Sequence, residues 1–110
     1  MKIKFESVYD DYFPEEAAEY FEAIANYYKM TDEDRDGAFE LSKITFVLSD
    51  RYNTISNDAT KLDSIKYGQK TDKQKFFYGR YRLLREMHTH ARMVWNSAKE
   101  EARTYGNGTM

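Results

Sequence analysis

From Asp72 to Thr104 the chain carries no proline and a single glycine, and its apolar residues recur at helical spacing. Phe77, Leu84, Met87, Ala91, Val94, Ala98 and Ala102 stand three, four or seven apart, which places them on one face of one long helix. A second stripe precedes it: Leu41, Ile44, Leu48, Ile55, Ala59 and Leu62 keep the same spacings and predict a helix over about 32–66. Thr31 followed by Asp34 fits a capping box at its start. Its middle, SDRYNTISNDATK, is rich in Ser, Thr, Asn and Asp, which are poor in helix interiors, so a break near Ser56–Asn57 is allowed for. Gly68 is suited to ending a helix, and Thr71 with Gln74 repeats the capping-box logic for a third helix over about 72–104. The short connection makes the two long helices antiparallel neighbours.

Pro14 sits where prolines start helices, and Glu15 and Glu16 suit the positive end of a helix dipole. Ala17, Tyr20, Phe21, Ile24, Tyr27 and Tyr28 then predict a first helix over about 14–29. Phe39 and Phe46 point away from the Leu41–Leu48 stripe and need their own cover, for which the first helix is the candidate. The expected fold is all-α: a three-helix bundle dominated by a long antiparallel helical hairpin. It forms one domain over 1–110, with a short extended segment at 1–12 and a frayed tail at 105–110.

Charge is divided along the chain. Residues 1–40 carry four basic against twelve acidic groups, and residues 61–99 carry ten basic against three acidic, although the whole is only −2. The basic half is organised. Lys75, Tyr78, Arg82, Arg85, Thr89, Arg92, Asn96, Lys99 and Arg103 alternate by three and four on the side roughly opposite Leu84, Ala91 and Ala98. Six of these nine are cationic and none is acidic, whereas an ordinary solvated face mixes signs to gain i,i+4 pairs. One reading is a contact face for an anionic macromolecule, either an acidic protein surface or nucleic-acid phosphates. The other is internal: the acidic first helix folds against the row and neutralises it. Arg80 falls in the middle of the apolar face and is expected to pair with a carboxylate, because an isolated buried guanidinium is costly.

Chemistry has little foothold elsewhere. TDEDRDG offers Asp32, Asp34, Asp36 and Gly37 in the order of an EF-hand loop, but Lys43 stands where the bidentate carboxylate belongs. The acids suit a helix start equally well. His88 and His90 lie two apart, about 200° around a helix, and cannot share a metal. Acid pairs such as Asp10–Asp11 read as surface charge. No cysteine, phosphate-binding glycine motif or nucleophile elbow is present.

These features predict a non-enzyme with no cofactor, no metal and no small-molecule substrate. No apolar run approaches the roughly 18 residues of a membrane span, and the N-terminus has no apolar signal segment, so a cytoplasmic protein away from membranes is expected. The leading expectation is a small regulatory, adaptor or inhibitor protein. It would bind a protein partner, or form a homo-oligomer, through Lys75, Tyr78, Arg82, Arg85, Arg92, Lys99 and Arg103. A nucleic-acid-binding accessory protein would instead place Lys75, Arg82, Arg85 and Arg92 on phosphates, with Tyr78 and Tyr81 stacking on bases. A third class, a divalent-cation switch, rests on Asp32, Asp34 and Asp36 alone.

Overall fold

A computed structural model describes residues 6–106, with side chains as far as residue 97. A 3-10 turn, Val8–Asp11, leads into α1 (Pro14–Lys29), α2 (Arg35–Asn57), a short α3 (Ala59–Asp63) and α4 (Lys70–Gly106), and no strand occurs among the described residues. Phe39 meets Trp95, Phe46 meets His88 and Tyr52 meets Phe77, so α2 and α4 run antiparallel and form the dominant hairpin. Phe13 touches Phe77 and Tyr27 touches His90, so α1 lies along the pair in the direction of α4. The all-α architecture with a dominant helical hairpin is as the sequence predicts.

The departures have local causes. The 32–66 helix is two helices, because Asp58 takes an extended conformation (φ −94°, ψ 104°) and its carboxylate caps the N–H groups of Thr60 and Lys61. The start of α2 is capped by Asp34, which accepts from Gly37 N–H at 2.9 Å, and Thr31 makes no side-chain cap there. A Cβ on Gly37 would fall 2.2 Å from the Asp34 carboxylate, which accounts for glycine at that position. Thr71 lies inside α4, whose first turn closes from Lys73 N–H to the Gln69 carbonyl. The N-terminal segment is not extended where it is described: Val8–Asp11 coils, with Ser7 accepting from Tyr9 N–H. Residues 1–5 and 107–110 lie outside the described residues. Gly68 sits in the loop before α4 at φ 76°, and a Cβ there would meet the Tyr9 hydroxyl at 2.1 Å.

The core is the seam between the hairpin helices. From α4 it takes Lys73, Phe77, Arg80, Leu84, Met87, Ala91 and Val94, alternating by four and three, all buried. From α2 it takes Leu41, Leu48 and Ile55 together with Ser42, Thr45, Ser49, Tyr52 and Ser56, whereas Ile44 and Ala59 of the predicted stripe are exposed. The buried hydroxyls donate to their own helix: Ser42 to Phe39 O (2.8 Å), Thr45 to Leu41 O (2.7 Å), Ser49 to Phe46 O (2.8 Å) and Ser56 to Asn53 O (2.9 Å). Satisfied in this way, they act as small residues that let the helices approach. Leu62 and Ile65 close one end, where the buried Lys73 ammonium donates to both of their carbonyls and so caps α3.

Phe39 and Phe46 are not covered by α1. Phe39 packs on Trp95 with ring centroids 5.4 Å apart, under the Lys43 ammonium of α2 at 5.0 Å, and Phe46 packs on His88 at 5.3 Å, so their cover comes from α4 and α2. α1 instead buries Ala17, Tyr20 and Ala23 on the other side of the pair.

Candidate functional site

Lys75, Tyr78, Arg82 and Arg92 are exposed along α4, as are Thr89 and Asn96 between and beyond them. Arg85 is half-buried, its guanidinium 5.2 Å over the Phe46 ring. Tyr81 is half-buried and pairs with Tyr78 at 5.4 Å. Lys99 and Arg103 belong to the same helix, but their side chains lie outside the described residues. Tyr78, Tyr81, Arg82, Arg85, Thr89 and Met93 line a shallow depression, to whose lining Glu86 contributes the one carboxylate.

The ion pairs among the described residues are Lys43–Glu40, Arg51–Glu19, Lys70–Asp63 and Arg80–Asp10. None involves Lys75, Arg82, Arg85 or Arg92. α1 makes no ion pair with these four among the described residues, and for Arg85 and Arg92 helical geometry gives the reason. α1 meets Arg51 of α2 through Glu19 at 2.9 Å and His90 of α4 through the Tyr27 hydroxyl at 2.8 Å. Arg51 lies five residues from Phe46, and His90 five from Arg85; five residues turn a helix by about 140°. Arg85 and Arg92 therefore face away from α1, whereas Lys75 and Arg82 lie about 60° and 80° from His90 around α4 and His90 shares the depression with Arg82.

A better enclosed cleft lies between α1 and α2, lined by Ala23, Ile44, Val47 and Leu48 with the Glu19–Arg51 pair at its edge. It gathers no set of groups suited to acid–base or nucleophilic work. In the acidic loop, Asp34 is engaged as the cap of α2 and Asp32 and Asp36 point to solvent. Among the described residues no three His, Cys, Asp or Glu side chains are grouped to hold a metal ion. The histidines have separate partners: His88 Nδ1 donates to the Ser42 carbonyl at 2.8 Å, while His90 Nδ1 shares a hydrogen bond with Tyr27.

The expected carboxylate for Arg80 is Asp10, which is buried rather than a surface charge. The guanidinium donates through Nη1 to Asp10 Oδ1 and to the Tyr52 hydroxyl (3.2 Å), and through Nη2 to Asp10 Oδ2 (3.1 Å). Tyr20 and Phe76 face it at 4.3 and 4.4 Å from their ring centres. Both carboxylate oxygens and the phenol being engaged, this is a structural lock that ties the 3-10 turn to the hairpin. Burial opposes the Arg80 charge, but the hydrogen bonds it donates to Asp10 and Tyr52, with their charge interactions, outweigh it and hold the guanidinium above its usual value. Burial pushes the Tyr52 and Tyr20 phenols above the usual 10.0, with Arg80 opposing the rise only in part.

Those raised phenols make alkaline stability testable. Above pH 10 the unfolded chain releases phenolic protons that the folded chain retains, so stability fully present below that pH is lost as pH rises. Denaturant midpoints measured on both sides of pH 10 should fall on the alkaline side, and Tyr52→Phe should flatten the fall. An equally steep decline in the variant would exclude Tyr52 as its source.

The sequence missed Asp10, Tyr52 and the Phe39–Trp95 and Phe46–His88 contacts. For Asp10 no local signal sets it apart from exposed Asp11. Among the described residues no helix is long and apolar enough to cross a membrane. No protein-family model, curated protein or solved structure matches this chain.

Proposed function

We propose that this protein is a small non-enzymatic binding protein, of adaptor or inhibitor type, that uses the basic side of α4 to dock on an acidic protein surface. The observation that carries the reading is the row Lys75, Arg82, Arg85 and Arg92, open to solvent or half-open and without a carboxylate partner among the described residues. Like charges held along one helix repel each other, and an acidic surface relieves that repulsion. The overall acidity, with pI near 5.7, opposes strong non-specific binding to nucleic acid and favours a protein partner. Lys99 and Arg103 continue the row by helical register.

A second reading rests on one observation, the exposed Tyr78 ring beside Tyr81 among the cations, which suits stacking on bases. One experiment separates the two. Binding to labelled single- and double-stranded DNA and RNA is measured across a salt series, alongside capture of a stoichiometric partner by the tagged protein. The expected result is weak nucleic-acid binding at physiological salt and a protein complex dispersed by Arg82→Glu with Arg85→Glu. Sedimentation of the protein alone tests whether that complex is a homo-oligomer. Tight nucleic-acid binding would establish the second reading instead. In that case Arg82→Ala and Arg85→Ala would each lower the duplex salt slope by about 0.9.

A further inference from the structure

The hairpin has two long sides and α1 fills one. The other carries a seam of rings, Phe39 on Trp95 and Phe46 on His88, bordered by Arg85 and Arg92 of α4. Phe39 is 39% exposed and Phe46 45%. Charge alone would call for a polar partner, but half-exposed phenylalanines along a two-helix groove call for an apolar stripe as well. Two antiparallel helices 8–10 Å apart, a typical spacing, present a groove shaped for a third helix. The chain itself shows one occupant of this kind: α1 is acidic, buries Tyr20 and Ala23 in the first groove, and pairs Glu19 with Arg51 at the edge.

We infer that the second groove docks an acidic amphipathic helix supplied by another protein, its apolar stripe on Phe39, Phe46 and Trp95 and its carboxylates on Arg85 and Arg92. The inference rests on the protein-partner reading above and names the element that partner presents. A second copy is the poorer occupant, because its own acidic amphipathic helix, α1, is already folded onto its own hairpin.

Trp95 is the one tryptophan of the chain and reports directly on the seam. The probe is a synthetic helical peptide of about 20 residues, about 30 Å long, with a leucine stripe flanked by glutamates. A control peptide carries glutamine in their place. The glutamate peptide should change Trp95 fluorescence saturably, and the glutamine peptide should bind at least about tenfold more weakly. Phe46→Ala should weaken binding, and Arg85→Glu with Arg92→Glu should abolish it. Arg92→Glu alone, at an exposed position, should weaken it in a protein whose melting is unchanged.

Equal binding of the two peptides, or none, would overturn the inference. So would a Trp95 change that depends only on the protein's own concentration, or one produced by single-stranded RNA and not by the peptide. If polyglutamate binds and is released by Arg82→Glu with Arg85→Glu while the amphipathic peptide does not bind, the acidic-partner reading stands and the helical docking groove falls. If neither binds, both fall.

Discussion

Asp10→Ala should destabilise the fold by about 3–5 kcal/mol, the range for breaking a buried ion pair by removing one partner. The carboxylate is 1% exposed and Arg80 4%, so the orphaned guanidinium would have no water to turn to. Tyr52 would remain to it, with the faces of Tyr20 and Phe76, but none of these carries a compensating charge. Against a total stability of about 5–15 kcal/mol for a domain of this kind, that loss is a large fraction. Urea unfolding followed by far-ultraviolet circular dichroism measures it. Asp11→Ala is the internal control, an exposed neighbour whose loss should stay within about 0.5 kcal/mol. Replacing both partners, Asp10→Leu with Arg80→Met, should recover most of the stability, because an apolar pair needs no charge compensation. A cost below about 1 kcal/mol for Asp10→Ala would mean that solvent reaches Arg80 and that the lock is a surface pair.

Leu84→Ala should cost about 2–5 kcal/mol, from lost burial and from the cavity left behind. Leu84 is fully buried in the middle of the α4 seam, between Arg80, Phe77 and Met87 on its own helix and the core of α2. Both hairpin helices are long and continuous there, so neither can collapse into the gap by bending. The same unfolding experiment tests it. A change under about 0.5 kcal/mol would place Leu84 at the surface and undo the face assignment of α4, on which the position of the basic row depends.

Helical spacing made much of this legible. Pro14, the acids after it and the run from Ala17 to Tyr28 define α1 at the bounds observed. A guanidinium centred on an apolar face implied a buried partner for Arg80, but the partner stands 70 positions away, and local pattern carries no information over that distance. Ser49 and Ser56 read as weak helix formers; bonded like Ser42 and Thr45 to carbonyls three or four residues back, they form the close-packed side of α2. The same logic misled at Thr31, since Thr and Asp both cap and only the backbone decided for Asp34. The row on α4 was legible as a row. Which side of the hairpin α1 would take was not, because periodicity assigns a residue to a face without saying which neighbour that face receives.

The lock between the two ends of the fold also sets an order of events during synthesis. Asp10 leaves the ribosome long before Arg80 exists. At 5–20 residues per second the separation of 70 positions amounts to a wait of about 4–14 s. For most of that interval α1 and its apolar stripe are made while α4, with which it closes the core, is not. The like charges of Glu15, Glu16, Glu19 and Glu22 oppose association of two such emerging helices through that stripe.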